Sequence, residues 1–464
     1  MFRAVLYWIS QKRWLLIAAV AATVLILLPH PSGITLEGYR TLIITVVAVL
    51  LLISETVPLP ATALLIIVLQ VAFGIAETGE VAHAFMSDAV FFIMGSLMLA
   101  VAIVRQGLDA RLTLGILAVT GTKVISIMWG FFIITLLLTS FMGVHTIVAM
   151  LLPVAVTLIR NTSDDSNRVQ GLTKLLVFAV VYGAIMGSFG TPSGGARNVI
   201  MIGYLHDFGI AEISYLKWMI MTYPLMLAHL PIGGWVLSRT FRSEHDDLSM
   251  AVQKLREQVA KTGDMTGQQL LAIALFVLIF LSWIFLSDQV GIGIIALAGV
   301  FLYLAFGLVQ WQDINQRTNW GVVLLYASAI TLGIQIKETG AAVWMAQGMV
   351  QAAGVILEQF VIAQYAVVAV LTTLVVNVMS PSATVAVLGP MFMNLGGDPL
   401  LLGMETAVAS AFGYLTAVGS TAGMIAASTG LIKPADFIRA GWRFAVMSIV
   451  LLILALLFYW PLVV

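Results

Sequence analysis

Apolar runs long enough to cross a bilayer, parted by short polar turns, make up most of the chain. They lie near residues 14–29, 38–54, 59–76, 89–104, 125–158, 173–205, 215–238, 268–287, 290–309, 320–336, 361–395, 404–431 and 441–463. One crossing takes about 20 residues of helix, so the pattern predicts an all-α polytopic membrane protein. Several runs exceed one crossing and carry Gly, Pro, Ser or Thr in their middle. Such residues do not suit an uninterrupted lipid-facing helix. They suit helices broken where the backbone lines a cavity inside the protein.

One segment departs from this pattern. Arg239–Thr266 concentrates charge, including Arg242, Lys254, Arg256 and Lys261, while Leu248, Val252, Leu255 and Val259 recur at helical spacing. This predicts an amphipathic connector lying on the cytoplasmic surface, dividing the chain into two similar halves. The opening MFRAVLYWISQKRW runs into Leu15–Leu28 with no small-residue cleavage site. It is expected to be a retained first span rather than a signal peptide, and Arg3, Lys12 and Arg13 favour a cytoplasmic amino terminus.

Composition sharpens the class. Of 464 residues, 61% are hydrophobic and 9% charged, against roughly 25% charged in a soluble domain. A water-soluble enzyme, a nucleic-acid binder and a disordered scaffold are thereby excluded. Lys and Arg total 22 against 22 Asp and Glu, so no basic field exists to attract nucleic acid. The absence of Cys removes disulfides, thiolate metal sites and Cys nucleophiles.

The halves repeat. Met142-Gly143-Val144-His145-Thr146-Ile147-Val148-Ala149-Met150-Leu151-Leu152-Pro153 aligns without gaps on Met379-Ser380-Pro381-Ser382-Ala383-Thr384-Val385-Ala386-Val387-Leu388-Gly389-Pro390. Each copy is followed by a small-residue segment: Gly190-Thr191-Pro192-Ser193-Gly194-Gly195-Ala196-Arg197-Asn198 in the first half, Val418-Gly419-Ser420-Thr421-Ala422-Gly423 in the second. Interrupted apolar segments at corresponding places in two halves point to a transporter's binding site.

Further blocks carry a family resemblance. Ser54-Glu55-Thr56-Val57-Pro58-Leu59-Pro60-Ala61-Thr62-Ala63-Leu64-Leu65, Trp320-Gly321-Val322-Val323-Leu324-Leu325-Tyr326 with Ile336-Lys337-Glu338-Thr339-Gly340, and Asn198-Val199-Ile200-Met201-Ile202-Gly203-Tyr204 resemble segments of the divalent anion/sodium symporter family, part of the ion transporter superfamily. The resemblance covers nearly the whole chain. It implies two inverted repeats, each with a re-entrant hairpin and a discontinuous helix, and a transport domain that slides against a dimeric scaffold in an elevator motion. It implies di- or tricarboxylate or sulfate as cargo, a C4-type dicarboxylate first among them, with sodium or by exchange. No cofactor is expected. The partners are a small anion, the lipid bilayer and a second copy in a homodimer, in a bacterial inner membrane. The corresponding division is 1–84 and 268–319 as scaffold helices, 85–238 and 320–464 as the two hairpin and broken-helix regions, and 239–267 as connector.

The family's Ser-Asn-Thr tips are replaced here by Gly143-Val144-His145 and Ser380-Pro381-Ser382, and the sodium-ligand position before each tip by Thr139 and Val376. Its first "GTPPN" break reads Gly194-Gly195-Ala196-Arg197-Asn198. Thr139, Gly143 and Gly194 still offer oxygens to sodium, a hard cation. Arg197 is the informative replacement, because a charge at mid-membrane costs at least ~2.5–3.5 kcal/mol and marks a cavity or a partner. Beside Asn198 and a helix amino terminus it forms a ready anion site; it is also compatible with tying down backbone carbonyls. His145 is compatible with a proton switch or with a packed neutral imidazole. Thr146, Ser380, Ser382, Thr384, Ser420 and Thr421 supply hydroxyls. Sodium coupling, proton coupling and anion exchange all remain open.

Other residues read as structural: Glu55 and Glu338 at span ends, Asp88 as the cap of its own helix, and Trp14, Trp218 and Trp311 as interfacial anchors. An intramembrane hydrolase using Ser140 or Ser382 with His145 lacks a nearby carboxylate and a nucleophile elbow. A cation/proton antiporter normally needs a buried carboxylate, and neither break contains Asp or Glu.

Overall fold

The computed structural model describes residues 13–54, 56–107, 120–163, 165, 168–260, 264–353 and 360–464. Arg3, Lys12, Glu55 and Lys261, and the side chains of Arg256 and Val259, lie outside the described residues. The described residues contain no strand, only an isolated bridge between Lys123 and Asp247. The helices are α1 (Arg13–Leu27), α2 (Leu36–Ser54), α3 (Leu59–Ala72), α4 (Thr78–Phe85), α5 (Asp88–Arg105), α6 (Val124–Met142), α7 (Val144–Thr162), α8 (Gln170–Gly187), α9 (Ala196–Asp207), α10 (Tyr215–Thr240) and α11 (Ser249–Ala260). They continue as α12 (Gly267–Val290), α13 (Ile292–Ala305), α14 (Trp311–Arg317), α15 (Trp320–Glu338), α16 (Ala341–Ala353), α17 (Val361–Val376), α18 (Pro381–Phe392), α19 (Pro399–Ala409), α20 (Thr421–Ser428) and α21 (Pro434–Leu454). Among the described residues, nine helices are long and apolar enough to cross a membrane. The protein is a polytopic membrane protein.

The four longest apolar runs each split, at Gly143, at 188–195, at 377–380 and at 410–420. Gly143 alone joins α6 to α7, with φ +76° and its N–H donating back to the Thr139 carbonyl. Only a residue tolerant of positive φ can reverse the chain there. Gly291 performs the same reversal between α12 and α13, at φ +86°.

Close helix pairs are built on small residues, as membrane interiors require. Gly183 and Gly187, one helical turn apart on α8, rest directly on the backbone of Phe132 and Leu136 in α6. Gly95 of α5 receives Ala296 of α13 in the same way. One large core runs through α5 to α21; smaller clusters, built on Ile44, Ile66, Leu332 and Ile336 and on Ala18, Val47 and Leu51, hold α1–α3 beside α15 and α16.

Two expectations need correction. Asp88 does cap a helix, but not its own: its carboxylate accepts from the N–H groups of Ile292 (3.1 Å) and Gly293 (3.0 Å), fastening α5 to the start of α13. The connector does not lie free on a bilayer surface. Leu248, Val252 and Leu255 are buried in the main core, and α11 packs against α7. Its leading strap is tied down too. Val124 N–H donates to the Asp246 carbonyl, Leu248 N–H to Thr122, and the N–H groups of Gly171 and Leu172 to the Glu244 carboxylate. The apolar stripe was the right signal, but the first hairpin rather than lipid covers it.

Replacing Gly187 by Leu would drive a side chain into the Leu136 carbonyl and separate α6 from α8. The expected outcome is loss of the monodisperse peak on size-exclusion chromatography in detergent, whereas Gly348→Leu, where a Cβ meets nothing within 4 Å, keeps it.

Candidate functional site

Breaking a helix inside a membrane frees backbone groups that must find partners within the protein. At 188–195 the partners are side chains. Asn198 Nδ2 donates to the carbonyls of Ser188 (2.9 Å) and Thr191 (2.8 Å), Trp218 Nε1 to Phe189 (3.0 Å), and Thr222 Oγ1 to Gly190 (3.0 Å). Thr191, Ser193 and Tyr215 share hydroxyl bonds, with Ser193 Oγ to Tyr215 Oη at 2.7 Å. The Thr191 hydroxyl also donates to the Ser140 carbonyl beside the first tip. The second junction depends on Asn377. Its Nδ2 donates to the carbonyls of Thr373 (2.7 Å) and Phe412 (3.3 Å), its Oδ1 accepts from Leu415 N–H (2.7 Å), and its carbonyl accepts from Thr416 Oγ1. Each tip is thus tied to its own break.

Both junctions face one cavity of about 560 Å³, within the usual range for a small-molecule site. Its wall includes Gly143, Val144, His145 and Thr146 from the first tip and Gly194, Gly195, Ala196 and Arg197 from the first break. Ser380, Pro381 and Ser382 join from the second tip, and Ser420 and Thr421 from the second break. These are the first residues of α7, α9, α18 and α20, so four helix amino termini converge on the space. Each carries partial positive charge and unsatisfied N–H groups. Ser380 and Ser420 cap their helices, accepting from Ala383 and Gly423 N–H. Arg317 and Asn319, both exposed, stand at the mouth on the side that carries the connector.

Among the described residues, Arg197 is the one charged group buried in this wall, 4% exposed. Its Nη2 donates to Ser188 Oγ at 2.7 Å, and its Nε finds no partner. Among the described residues it forms no ion pair, and no Asp or Glu lines the cavity. His145 is exposed in the same wall. A cavity with a buried guanidinium, four helix amino termini and no carboxylate attracts small anions and repels cations.

The structure therefore brings His145, Thr146, Arg197, Ser380, Ser382, Ser420 and Thr421 together, with Gly143 and Gly194. Three expected residues stand behind the wall. Thr384 is fully buried and bonds back to the Ser380 carbonyl at 3.0 Å, so its hydroxyl braces the second tip. Asn198 and Thr139 are fully buried; Asn198 Oδ1 and Thr139 Oγ1 lack hydrogen-bond partners among the described residues. Trp218 is not an interfacial anchor. It is fully buried and holds the first break, because its indole N–H is the donor that Phe189 needs. Trp14 and Trp311 are exposed, as anchors require. Ser140 Oγ is turned back onto the Leu137 carbonyl at 2.6 Å, away from His145. Sequence reasoning missed Ser188, Asn377 and Tyr326, whose hydroxyl accepts from Ser382 Oγ at 3.1 Å. Asn377, a lone amide closing an apolar run, was the available signal.

The fold and the cavity define a secondary active transporter of anions, a carrier rather than an enzyme. More specifically, the chain belongs to the family described as the sodium:sulfate symporter transmembrane region, which matches residues 10–464. The sodium-dependent dicarboxylate transporter SdcS of Staphylococcus aureus (strain bovine RF122 / ET3-1) is 27% identical over 461 residues, covering 94% of this chain and 88% of the relative. Its namesake from Staphylococcus saprophyticus is 26% identical over 482 residues, covering 98% and 92%.

Trp218→Phe keeps the ring and removes the donor to Phe189. A buried carbonyl left without a partner costs about 1–3 kcal/mol, so the variant is expected to melt at a lower temperature in detergent. An unchanged Tm would mean that the break is held without it.

Proposed function

We propose that the cavity carries a C4-type dicarboxylate, with one carboxylate on Arg197 and the hydroxyls of Ser380, Ser382, Ser420 and Thr421 around the rest. The observation that carries this reading is the convergence of four helix amino termini and an unpaired guanidinium on one carboxylate-free space. A dianion in a low-dielectric pocket needs such compensation. His145 faces the same space and adds a second positive charge when protonated.

The coupling ion we assign is a single sodium ion at the first junction. The relatives named above are sodium-dependent. Thr139 Oγ1 and Asn198 Oδ1 are buried acceptors without partners among the described residues, and the Gly194 carbonyl stands beside Gly143; oxygens of this kind suit a hard cation. The second junction is poorer in side-chain ligands: Val376 has no side-chain oxygen, and both ends of the Asn377 amide are already bonded to backbone. Arg197 takes over the charge that a second ion would bring.

Alternating access follows from the arrangement of tips. The first hairpin opens toward the connector, to which Val124 is tied. The second enters from the opposite side, after α15 has crossed from Asn319 to Lys337, whose Nζ contacts Asp207. This supports two inverted repeats and an elevator motion of the hairpin regions against scaffold helices of a homodimer. Among the described residues, Arg40, Lys217 and Lys337 are the Lys and Arg residues on the side away from the connector, while Arg105, Lys123, Arg160, Lys174, Arg239, Arg242, Arg317 and Lys433 lie at element ends on the connector side. By the positive-inside rule this distribution supports a cytoplasmic connector.

In proteoliposomes, Arg197→Ala is expected to lose binding worth about 2–5 kcal/mol, so that labelled-succinate counterflow falls by about thirty-fold or more. Arg197→Lys keeps a fraction of it. Normal counterflow in Arg197→Ala would end this reading. Thr139→Val is expected to raise the sodium concentration for half-maximal uptake, and wild-type uptake should rise with a Hill slope of about one; a slope near two would contradict the single-ion assignment.

A further inference from the structure

Away from the cavity, the second half of the chain buries a carboxylate that has no counter-ion among the described residues. Glu405 lies on α19, the first half of the second broken helix, at 0% exposure, and neither carboxylate oxygen has a hydrogen bond among the described residues. It is not part of the cavity wall. Its depth follows from the register of α17 against α19. Gly397 meets Gln364 at one end, and Asn377 bonds to Phe412 at the other, which sets Glu405 level with Ala369–Thr373. Thr372 and Thr373 are buried there with hydroxyls that also lack partners.

The charged and titratable groups around it offer no counter-ion. On α17 the group that faces it is Tyr365. On its own helix Asp398 is engaged by the N–H groups of Leu400 and Leu401. Helix α18 has no ionisable residue. Helix α9 meets α19 at Met201 and Gly403, on another face; its Arg197 is turned to the cavity, its Tyr204 donates to the Ala329 and Ala386 carbonyls, and its His206 pairs with Asp207. On α21, Asp436 is held by Lys174 at 2.7 Å, and Arg439 and Arg443 sit in its first turns, exposed.

We propose that Glu405 is a proton-binding site of this carrier: it holds a proton while α17 and α19 are packed, and loss of that proton loosens the second hairpin. An ionised carboxylate with no counter-ion is too costly to bury, and among the described residues no cluster of three or more acidic or imidazole ligands is present, which suits a proton rather than a metal ion. The neutral acid can donate to a threonine hydroxyl and satisfy both. Because Asn377 ties the same hairpin to the substrate-facing break, protonation at Glu405 stabilises the conformation that presents Ser380 and Ser420 to the cargo. This coupling half of the proposal rests on the carrier reading above. The proton site itself does not.

Two measurements on the full-length protein need no cargo. Infrared difference spectra of the wild type between about pH 6 and about pH 9 should show an un-ionised carboxylic acid lost at high pH, and Glu405→Gln should remove that band. By linkage, a native state that binds more protons than the unfolded chain loses stability as pH rises. Wild-type Tm should therefore drop by several degrees over that range, and Glu405→Gln, which mimics the neutral acid, should be flat. Coupling is read in proteoliposomes: an inside-alkaline gradient should speed labelled-succinate uptake several-fold in the wild type and leave Glu405→Gln unchanged. Identical infrared and melting profiles in the two proteins would overturn the proton site. A pH response of uptake that survives in Glu405→Gln would overturn its coupling. Titration of Glu405 with no succinate uptake by the wild type would instead remove the dicarboxylate reading alone.

Discussion

On the reading proposed above, a single guanidinium without a carboxylate partner governs what this cavity can accept. Two unit charges about 4 Å apart attract by about 4 kcal/mol at an effective dielectric near 20, against about 1 kcal/mol in water. Arg197 sits where that amplification applies, 4% exposed at the first helix break. It cannot shed its charge as a lysine can, and its recorded bond goes to a neutral hydroxyl, Ser188 Oγ. The charge is therefore held in reserve for a ligand. Cationic cargo is repelled, neutral cargo wastes the site, and a small dianion satisfies both the arginine and the helix amino termini that surround it.

That reserve is useful only if the surroundings stay fixed. Each broken helix could have been a flexible gap; instead its carbonyls are individually taken up by Asn198, Trp218, Thr222 and Asn377. A site whose donors already point inward loses little on binding by way of reorganisation. The same bonds tie each tip to its break, so a hairpin cannot shift without moving half of the cargo site. Rigid units around a central cavity are what the alternating-access motion proposed above requires.

The helices, the split apolar runs and the pairing of tip with break were legible because they are local. Run length reports bilayer crossing, and Gly, Pro, Ser and Thr in mid-run report interruption. Arg197 was legible for the same reason: an arginine inside an apolar run has few explanations. What escaped depends on contacts between distant segments. Trp218 reads as an interfacial anchor until α10 is laid beside the first break. Asp88 reads as the cap of α5 until the start of α13, about two hundred residues on, is brought to it. Asn377 was passed over beside Val376, although its backbone carbonyl, accepting from Thr416 Oγ1, does at the second junction what the Ser140 carbonyl does at the first. Glu405 lies between the two segments that the repeat alignment singled out in the second half, and only packing against α17 shows that it is buried without a counter-ion.

The most direct measurement is an experimental structure of the wild-type protein in lipid with succinate bound. It should place one succinate carboxylate within hydrogen-bond distance of the Arg197 guanidinium, with the other end among Ser380, Ser420 and Thr421 between the two helix breaks. Succinate bound at any other place, with Arg197 still resting on Ser188, would contradict the assignment of this cavity as the cargo site.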